Sequence, residues 1–383
     1  MNSIDFSAIK RILIIKLRHH GDVLITTPVF SVLKELFPSI EIDALIYQET
    51  LPMLEFNPAI SQIFCIDKKW KKLNVFLQVA KEFALIKQLK QRKYDLIITL
   101  TEHWRCAWLC RLLRPKYSLA PKIIGRNKFW KHSFTHLQTW HNARRHIVET
   151  QLDSLRRLGL SEQIAKTSAK SRELSLICGE NAENNILQRL QKLNIAKQKY
   201  IVLHPASRWF FKCWSAEKVA QLSVKILQEF PNLHLIITAA PDEKEKIYCQ
   251  KIISQISQIS QISQISQTSK IISIFGELSL KELAALIKFS ALFIGVDSAP
   301  MHMAAAVKTP LVALFGPSGD LQWKAWAVET NHIEKQKIIT AKNEDFPCRP
   351  CGEDGCGGGK ISQCLMAISV EQVFAEVASL LNK

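Results

Sequence analysis

Short, continuous runs of aliphatic and β-branched residues, each followed by a segment of helical period, recur along this chain and leave few folds open to it. In the first half the runs are RILIIKL at 11–17, IEIDALIY at 40–47, SQIFCID at 61–67 and YDLIITL at 94–100. A run that is apolar throughout, rather than alternating, suits a strand buried on both faces. Helical patterns fill the gaps: after RHHGD to about residue 36, at 50–56, at 73–92 with a basic polar face, and at 102–113. Strands alternating with helices give a parallel, doubly wound sheet. The rhythm restarts with strands expected at 200–204, 233–240, 271–276, 291–296 and 310–316, and it closes on an amphipathic helix at 369–382. A chain of 383 residues, 47% apolar, has material for two such cores rather than one. The fold class is therefore α/β, with domains expected at 1–165 and 199–383. The connection begins in the polar stretch 161–173 and occupies 166–198.

Two segments break the rhythm. Residues 126–146, RNKFWKHSFTHLQTWHNARRH, interleave basic side chains with Phe, Trp and His. They read either as a contact for an anionic sugar or membrane surface through Trp130 and Trp140, or as a surface loop with structural aromatics. From residue 254 the chain repeats SQI four times and ends in SQT. A three-residue period is too short for a solenoid unit, which leaves a helix extension or a length-tolerant loop.

The run 12–15 is too short for the hydrophobic part of a secretion signal, and no apolar stretch is long enough for a membrane span. A cytoplasmic protein is expected, with six scattered cysteines as reduced core thiols. The net charge of +17 is uneven: residues 1–160 hold 26 Lys/Arg against 13 Asp/Glu. A basic half implies an anionic partner, whether nucleic acid, membrane surface or phosphorylated substrate.

Three motifs fall where open α/β sheets bind ligands, at the carboxyl ends of strands. The first is GVDSAPMHMAAA from Gly295. A buried strand gives way to a helix near Pro300, and the free N–H groups of the helix start suit a diphosphate. Asp297, Ser298 and Ala299 lie in the turn, and His302 in the first helical turn. A merely well-capped helix is the plain alternative; His302 and the small-residue face favour a ligand. The second is HPASRWFFKCW at 204–214, where Ser207, Arg208 and Lys212 offer a hydroxyl, a guanidinium and an ammonium for pyrophosphate oxygens. A solvated polar loop fits the same residues. The third is KLRHHGDVLITTP at 16–28, where Gly21 permits a tight turn and Asp22 is either a helix cap or a general base. Neither first strand is followed by G-x-G-x-x-G, and no P-loop sequence occurs, which counts against nicotinamide, flavin and NTPase readings. No Asp-x-Asp occurs to hold a nucleotide through a divalent metal, so Lys, Arg and helix dipoles are expected to neutralise it. Cys348, Cys351, Cys356 and Cys364 have the spacing C-x2-C-x4-C-x7-C. That spacing fits a zinc site or a glycine-rich turn with reduced thiols, and no metal is assigned.

Taken together, the GDV and TTP of the first turn, the NPAI turn, HIVETQLDSLRRLGL, HPASR…KCW and ELSLKELAALI…LFIGVDSAPMHMAAAVKTPLVALFGPSG resemble the family-9 glycosyltransferases, the lipopolysaccharide heptosyltransferases. The tail CRPCGEDGCGGGKISQCL and the WFFKCW segment look most like the branch-heptose type, heptosyltransferase III. The resemblance implies a GT-B fold, two Rossmann-like doubly wound domains facing a central cleft, with the last helix returning to the first domain. It implies ADP-L-glycero-D-manno-heptose as donor, bound by the second domain, and the inner core of lipopolysaccharide as acceptor, bound by the basic first domain at the cytoplasmic face of the inner membrane. It implies no cofactor and no nucleic-acid partner. By motif, Asp22 matches the catalytic base, Ser207 and Lys212 match donor phosphate contacts, and Asp297 matches a contact to the donor sugar. Ser298, Ala299 and His302 fall in the donor loop, Glu243 near the ribose and Leu278 at the adenine. Departures are Ala206 where relatives carry a hydroxyl, WKAW at 323–326, and the SQI insertion. The readings set beside it are a type I or II heptosyltransferase, a basic nucleic-acid-binding protein, and a non-catalytic module of the same fold.

Overall fold

The computed structural model describes residues 4–139, 145–262 and 270–382. The chain divides into two compact units, Met1–Ile177 and Cys178–Lys383. The first holds strands β1 (Arg11–Lys16), β2 (Glu41–Tyr47), β3 (Gln62–Ile66), β4 (Leu96–Thr99), β5 (Tyr117–Lys122) and β6 (His136–Thr139). They form one parallel sheet in the order β3-β2-β1-β4-β5-β6. The second unit holds β7 (Tyr200–His204), β8 (His234–Ala239), β9 (Ile271–Phe275), β10 (Leu292–Val296), β11 (Leu311–Phe315) and β12 (Gln336–Thr340). Their order, β12-β11-β10-β7-β8-β9, is the same winding. Each sheet therefore reverses direction beside its first strand, between β1 and β4 and between β7 and β10. There the carboxyl-end loops part and leave a crevice.

Every strand expected from an apolar run is present. The sequence reading missed three others, β5, β6 and β12. The last two are outermost strands, half-wetted and rich in polar residues (HLQT and QKIIT), so they carry no continuous apolar signal. Although β5 lies inside the sheet, it is built from Ser118, Ala120 and Pro121, residues of low strand preference. The helix expected at 50–56 is a 3-10 turn, Gln48–Met53, with Pro52 inside it.

Residues 166–198 are not a free connection. Ser168 donates to the Glu35 carboxylate through both N–H and O–H, at 2.8 and 2.7 Å, which ties helix Ala169–Arg172 to the first unit. Helix Glu180–Lys192 packs on helix Leu280–Phe289 of the second unit, joined by Lys288–Glu183 at 2.7 Å and Asn185–Glu282 at 3.1 Å. The closing helix, Val370–Leu381, buries Val370, Val373 and Val377 in the second unit's core. Three SQI repeats extend helix Glu243–Ile262, where Ile252 and Ile256 continue the apolar stripe against helix Ala216–Glu229; the remainder of the repeat, from 263, lies outside the described residues. Among the described residues no helix is long and apolar enough to cross a membrane.

The aromatic stretch 126–146 also resolves differently from one of its readings. Trp130 is 0% exposed, sits in helix Lys128–Lys131, and donates its ring N–H to the Pro121 carbonyl at 3.1 Å. It is a core residue of the first unit, packed with Phe134, and not a membrane or sugar contact. Trp140 lies outside the described residues. Trp130→Ala is expected to lower unfolding free energy by about 3–5 kcal/mol, read from urea titration. A surface role would leave the midpoint unchanged.

Candidate functional site

At the reversal point of the second sheet, β7 and β10 run side by side with His204 opposite Gly295. The loop after β7 turns through Ser207 and Arg208 into a single 3-10 turn, Phe210–Lys212. Its base is pinned by sulfur: the Ser207 N–H donates to Cys213 Sγ at 3.2 Å, and burial pushes that thiol's pKa up to about 12. The turn aims Lys212 at the neighbouring loop, where its Nζ meets Asp297 Oδ2 at 2.6 Å. Asp297 is 7% exposed, so the ion pair is shielded more than a surface pair.

This contact joins the GVDSAPMH turn to the HPASRWFFKCW loop. Ser298 occupies the cap position of helix Ala299–Ala306 in an extended conformation, and its side chain makes no capping bond. Its hydroxyl donates instead to the Val296 carbonyl at 3.3 Å. Asp297 is committed to Lys212. Neither polar side chain caps the helix end, where Pro300 carries no N–H and the Met301 N–H donates to the Ser298 carbonyl at 3.2 Å. Pro300 stands in the first turn, and His302 is buried there.

The other candidates lie at the carboxyl ends of the next two strands. Glu243 follows β8 and is exposed in the first turn of helix Glu243–Ile262. Its neighbours do the local structural work: Asp242 accepts from the N–H groups of Lys244 and Glu245 at 3.0 and 3.2 Å, and buried Glu245 accepts from Ala240 N–H at 3.1 Å. Leu278 follows β9, half-buried, one residue before the capping box of Ser279 and Glu282. Gly276 between them has φ +72°, and a Cβ there would meet Pro241 Cα at 2.8 Å, so the chain's close approach at this end needs glycine. Arg208 is exposed, with its guanidinium 5.6 Å from the centroid of the Trp209 ring. Ala206 is fully buried.

At the reversal point of the first sheet, Gly21 and Asp22 lie in helix His20–Leu24, whose cap is His19. Asp22 is thus inside the first turn and is not the cap. Its carboxylate, about a quarter exposed, lies 4.0 Å from the ammonium of Lys16 at the end of β1. Sequence reasoning overlooked Lys16, although a charge just inside the end of the apolar run RILIIKL was the available signal. Burial pushes its pKa down to about 8, against the pull of the Asp22 charge. Also overlooked was a concavity of about 410 Å³ beside it, lined by Arg18, His19, Tyr47, Lys68, Trp104 and Arg126, among others. These residues come from the carboxyl ends of five strands, a convergence no local motif displays. Arg126 stacks its guanidinium 4.4 Å over the Trp104 ring and donates to the Glu102 carbonyl at 2.9 Å. The four tail cysteines follow β12. Cys348, Cys351 and Cys356 are exposed and Cys364 buried, and they do not gather into a common ligand sphere.

The sequence pattern of glycosyltransferase family 9 (heptosyltransferase) matches residues 82–349. Lipopolysaccharide heptosyltransferase 3 of Escherichia coli is 36% identical over 81% of this chain and 85% of its own length. Among solved structures, a family-9 glycosyl transferase from Veillonella parvula aligns with a TM-score of 0.75 at 19% identity, covering 97% of both chains. The E. coli ADP-heptose lps heptosyltransferase II aligns with a TM-score of 0.74 at 17% identity, over 97% of this chain and 98% of that one.

His204 gives a pH signature to the second crevice. Buried at the end of β7 with Nδ1 2.9 Å from Thr238 Oγ1, its imidazole has a pKa pushed down to about 4 by burial. The folded state binds this proton more weakly than the unfolded chain does. The contribution to stability is therefore complete above about pH 6.5 and is lost as pH falls through about 4, on the order of 3 kcal/mol in all. His204→Gln is expected to flatten the acid limb of the urea-midpoint profile between those values. An unchanged acid limb would refute the assignment.

Proposed function

The chain belongs to glycosyltransferase family 9, the heptosyltransferases, and from that premise we propose that it transfers heptose from ADP-L-glycero-D-manno-heptose to the inner core of lipopolysaccharide, as a type III enzyme that adds a branch heptose. The observation that carries the reading is the Lys212–Asp297 pair, which joins the two donor motifs at the reversal point of the second sheet.

The order of residues along that sheet edge supports a nucleotide sugar in particular. Reading β10, β7, β8, β9 in spatial order gives Asp297, then Ser207 with Lys212, then Glu243, then Leu278. That is the sequence of parts in the donor: sugar, diphosphate, ribose, adenine. Four strands at about 4.8 Å spacing span about 14 Å, the scale of an extended nucleotide sugar. Lys212, Ser207, Arg208 and the start of helix Ala299–Ala306 bind the diphosphate and stabilise the charge that develops as ADP leaves. Ala299 and Ser298 line the turn, and His302 lies within that helix's first turn.

The acceptor belongs to the first unit, whose concavity is rich in cations and carries an aromatic wall suited to phosphorylated sugars. Gly21 lets the chain turn tightly, and Asp22 removes the proton from the acceptor hydroxyl as it attacks the anomeric carbon with inversion. Lys16 is a positioning residue beside that carboxylate. Neutralisation by fixed cations makes the reaction independent of a divalent metal. Because the acceptor is built on a lipid, the enzyme works at the cytoplasmic face of the inner membrane as a peripheral protein.

Asp22→Ala is expected to reduce kcat by about 10²- to 10⁴-fold while the ADP-heptose Kd stays within about twofold; retained turnover would remove Asp22 from the base role. Lys212→Ala is expected to weaken donor binding about 10- to 100-fold, the loss of a charge-assisted bond. EDTA should leave the wild-type rate unchanged. A panel of truncated cores offered with ADP-heptose tests the type: only cores retaining the branch-point heptose should be modified.

A further inference from the structure

Helix Val75–Arg92 does not bury the face its pattern suggests. Its inner side is Leu85 and Leu89, held in the first unit's core. Yet Phe76 is 88% exposed, Phe83 68%, Val75 71% and Val79 60%. At 100° per residue these four fall within one sector, so the outward stripe of the first two turns is apolar. Large apolar side chains lined up in solvent are unusual for a surface helix and mark an interaction surface. The surroundings are strongly basic. Residues 68–93 hold nine Lys/Arg and a single acid, Glu82, which is itself paired with Arg105 at 2.5 Å. Lys69, Lys71 and Lys72, in the turn just before the helix, are exposed, as are Lys87 and Lys90 further along the same face.

We propose that this lysine-flanked apolar face is the membrane-docking element of the protein, lying in the interface of a bilayer that contains anionic lipid. Charge decides between the possible occupants. A second copy would set two such basic segments against each other, whereas an anionic bilayer offers apolar depth for Phe76, Val79 and Phe83 and negative headgroups for the lysines. The position suits the task. Lys68, at the head of this segment, also lines the concavity at the carboxyl ends of the first sheet, so the element borders the proposed acceptor site. That last link rests on the heptosyltransferase reading; the docking surface itself does not.

The test is flotation of the full-length protein with vesicles of neutral phosphatidylcholine, or of the same lipid with about one third phosphatidylglycerol. Wild type is expected to bind the anionic vesicles, less so at high salt. The variant Phe76→Ser, Val79→Ser, Phe83→Ser is expected to bind at least about tenfold more weakly, as is Lys69→Glu, Lys72→Glu, Lys87→Glu. Both should turn over a delipidated, soluble core within about twofold of wild type, since none of these residues lines the donor or acceptor site. Should the triple variant shift the denaturation midpoint, Phe76→Ser alone serves. The proposal is overturned if wild type binds neither vesicle, if the serine variant binds like wild type, or if sedimentation equilibrium reveals a dimer that the serine substitutions abolish. Absence of turnover by every form, with vesicle binding intact, would instead count against the transferase reading.

Discussion

Everything at the two crevices depends on one constraint: the first strand of each sheet is paired on both edges and buried on both faces. β1 lies between β2 and β4, and β7 between β8 and β10. Such a strand has no solvent side, so its middle is apolar, polar groups such as Lys16 and His204 are confined to its ends, and helices must cover both of its faces. Once the chain winds outward from it in both directions, the loops leaving β7 and β10 must part beside it. The register then fixes the site. Gly295 lies opposite His204, where a Cβ would meet the Phe293 ring at 2.7 Å and the His204 carbonyl at 3.2 Å. That close approach brings Asp297, two residues on, within reach of Lys212.

The same constraint explains what could be read from the sequence. Interior strands such as RILIIK and LFIGV announce themselves because burial on two faces keeps their middles apolar. Edge strands β6 and β12 are released from that demand and look like loops. Trp130 left two readings open for a related reason: local sequence shows it among lysines, arginines and histidines, whereas its indole is fixed by β5 and Phe134, contacts that only the assembled unit defines. The connecting region, expected at 166–198, contains structure of its own: helix Glu180–Lys192 is polar on one face and anchored on the other through Ile186 and Leu190.

For the site, what was legible was whatever a single strand end presents. Ser207, Arg208 and Lys212 belong to one loop, and Asp297 through His302 to another. Not legible was their meeting, since residues 212 and 297 are joined only through strand order. The same holds for the first crevice. Asp22, Lys16 and Arg18 share the end of β1 and stand in one motif, but Lys68 and Arg126, which complete the cationic wall, come from the ends of β3 and β5. Helix Val75–Arg92 was read as amphipathic with a basic outer face. Its basic residues are there, but the exposed stripe between them is apolar, and periodicity alone cannot say which of two apolar faces is buried.

In the donor site as proposed, the Lys212–Asp297 pair would also govern how a diphosphate is held and let go. A long lysine side chain facing solvent samples many rotamers, and ordering it at the moment of binding would cost entropy. Held at 2.6 Å by a nearly buried carboxylate, Lys212 is ordered beforehand. An ammonium carries three N–H donors, and the Asp297 bond uses one, so the cation can serve an incoming phosphate without giving up its anchor. A positive charge fixed in advance favours the state in which negative charge has grown most, the separating ADP, because it need not reorganise as that charge appears. Asp297 in turn tempers the attraction: an unopposed lysine would hold the product as firmly as the transition state, and the neighbouring carboxylate weakens its grip on both. In that role the pair would be a preset, moderated charge, and the chain builds it from two loops that only the winding of the second sheet brings together.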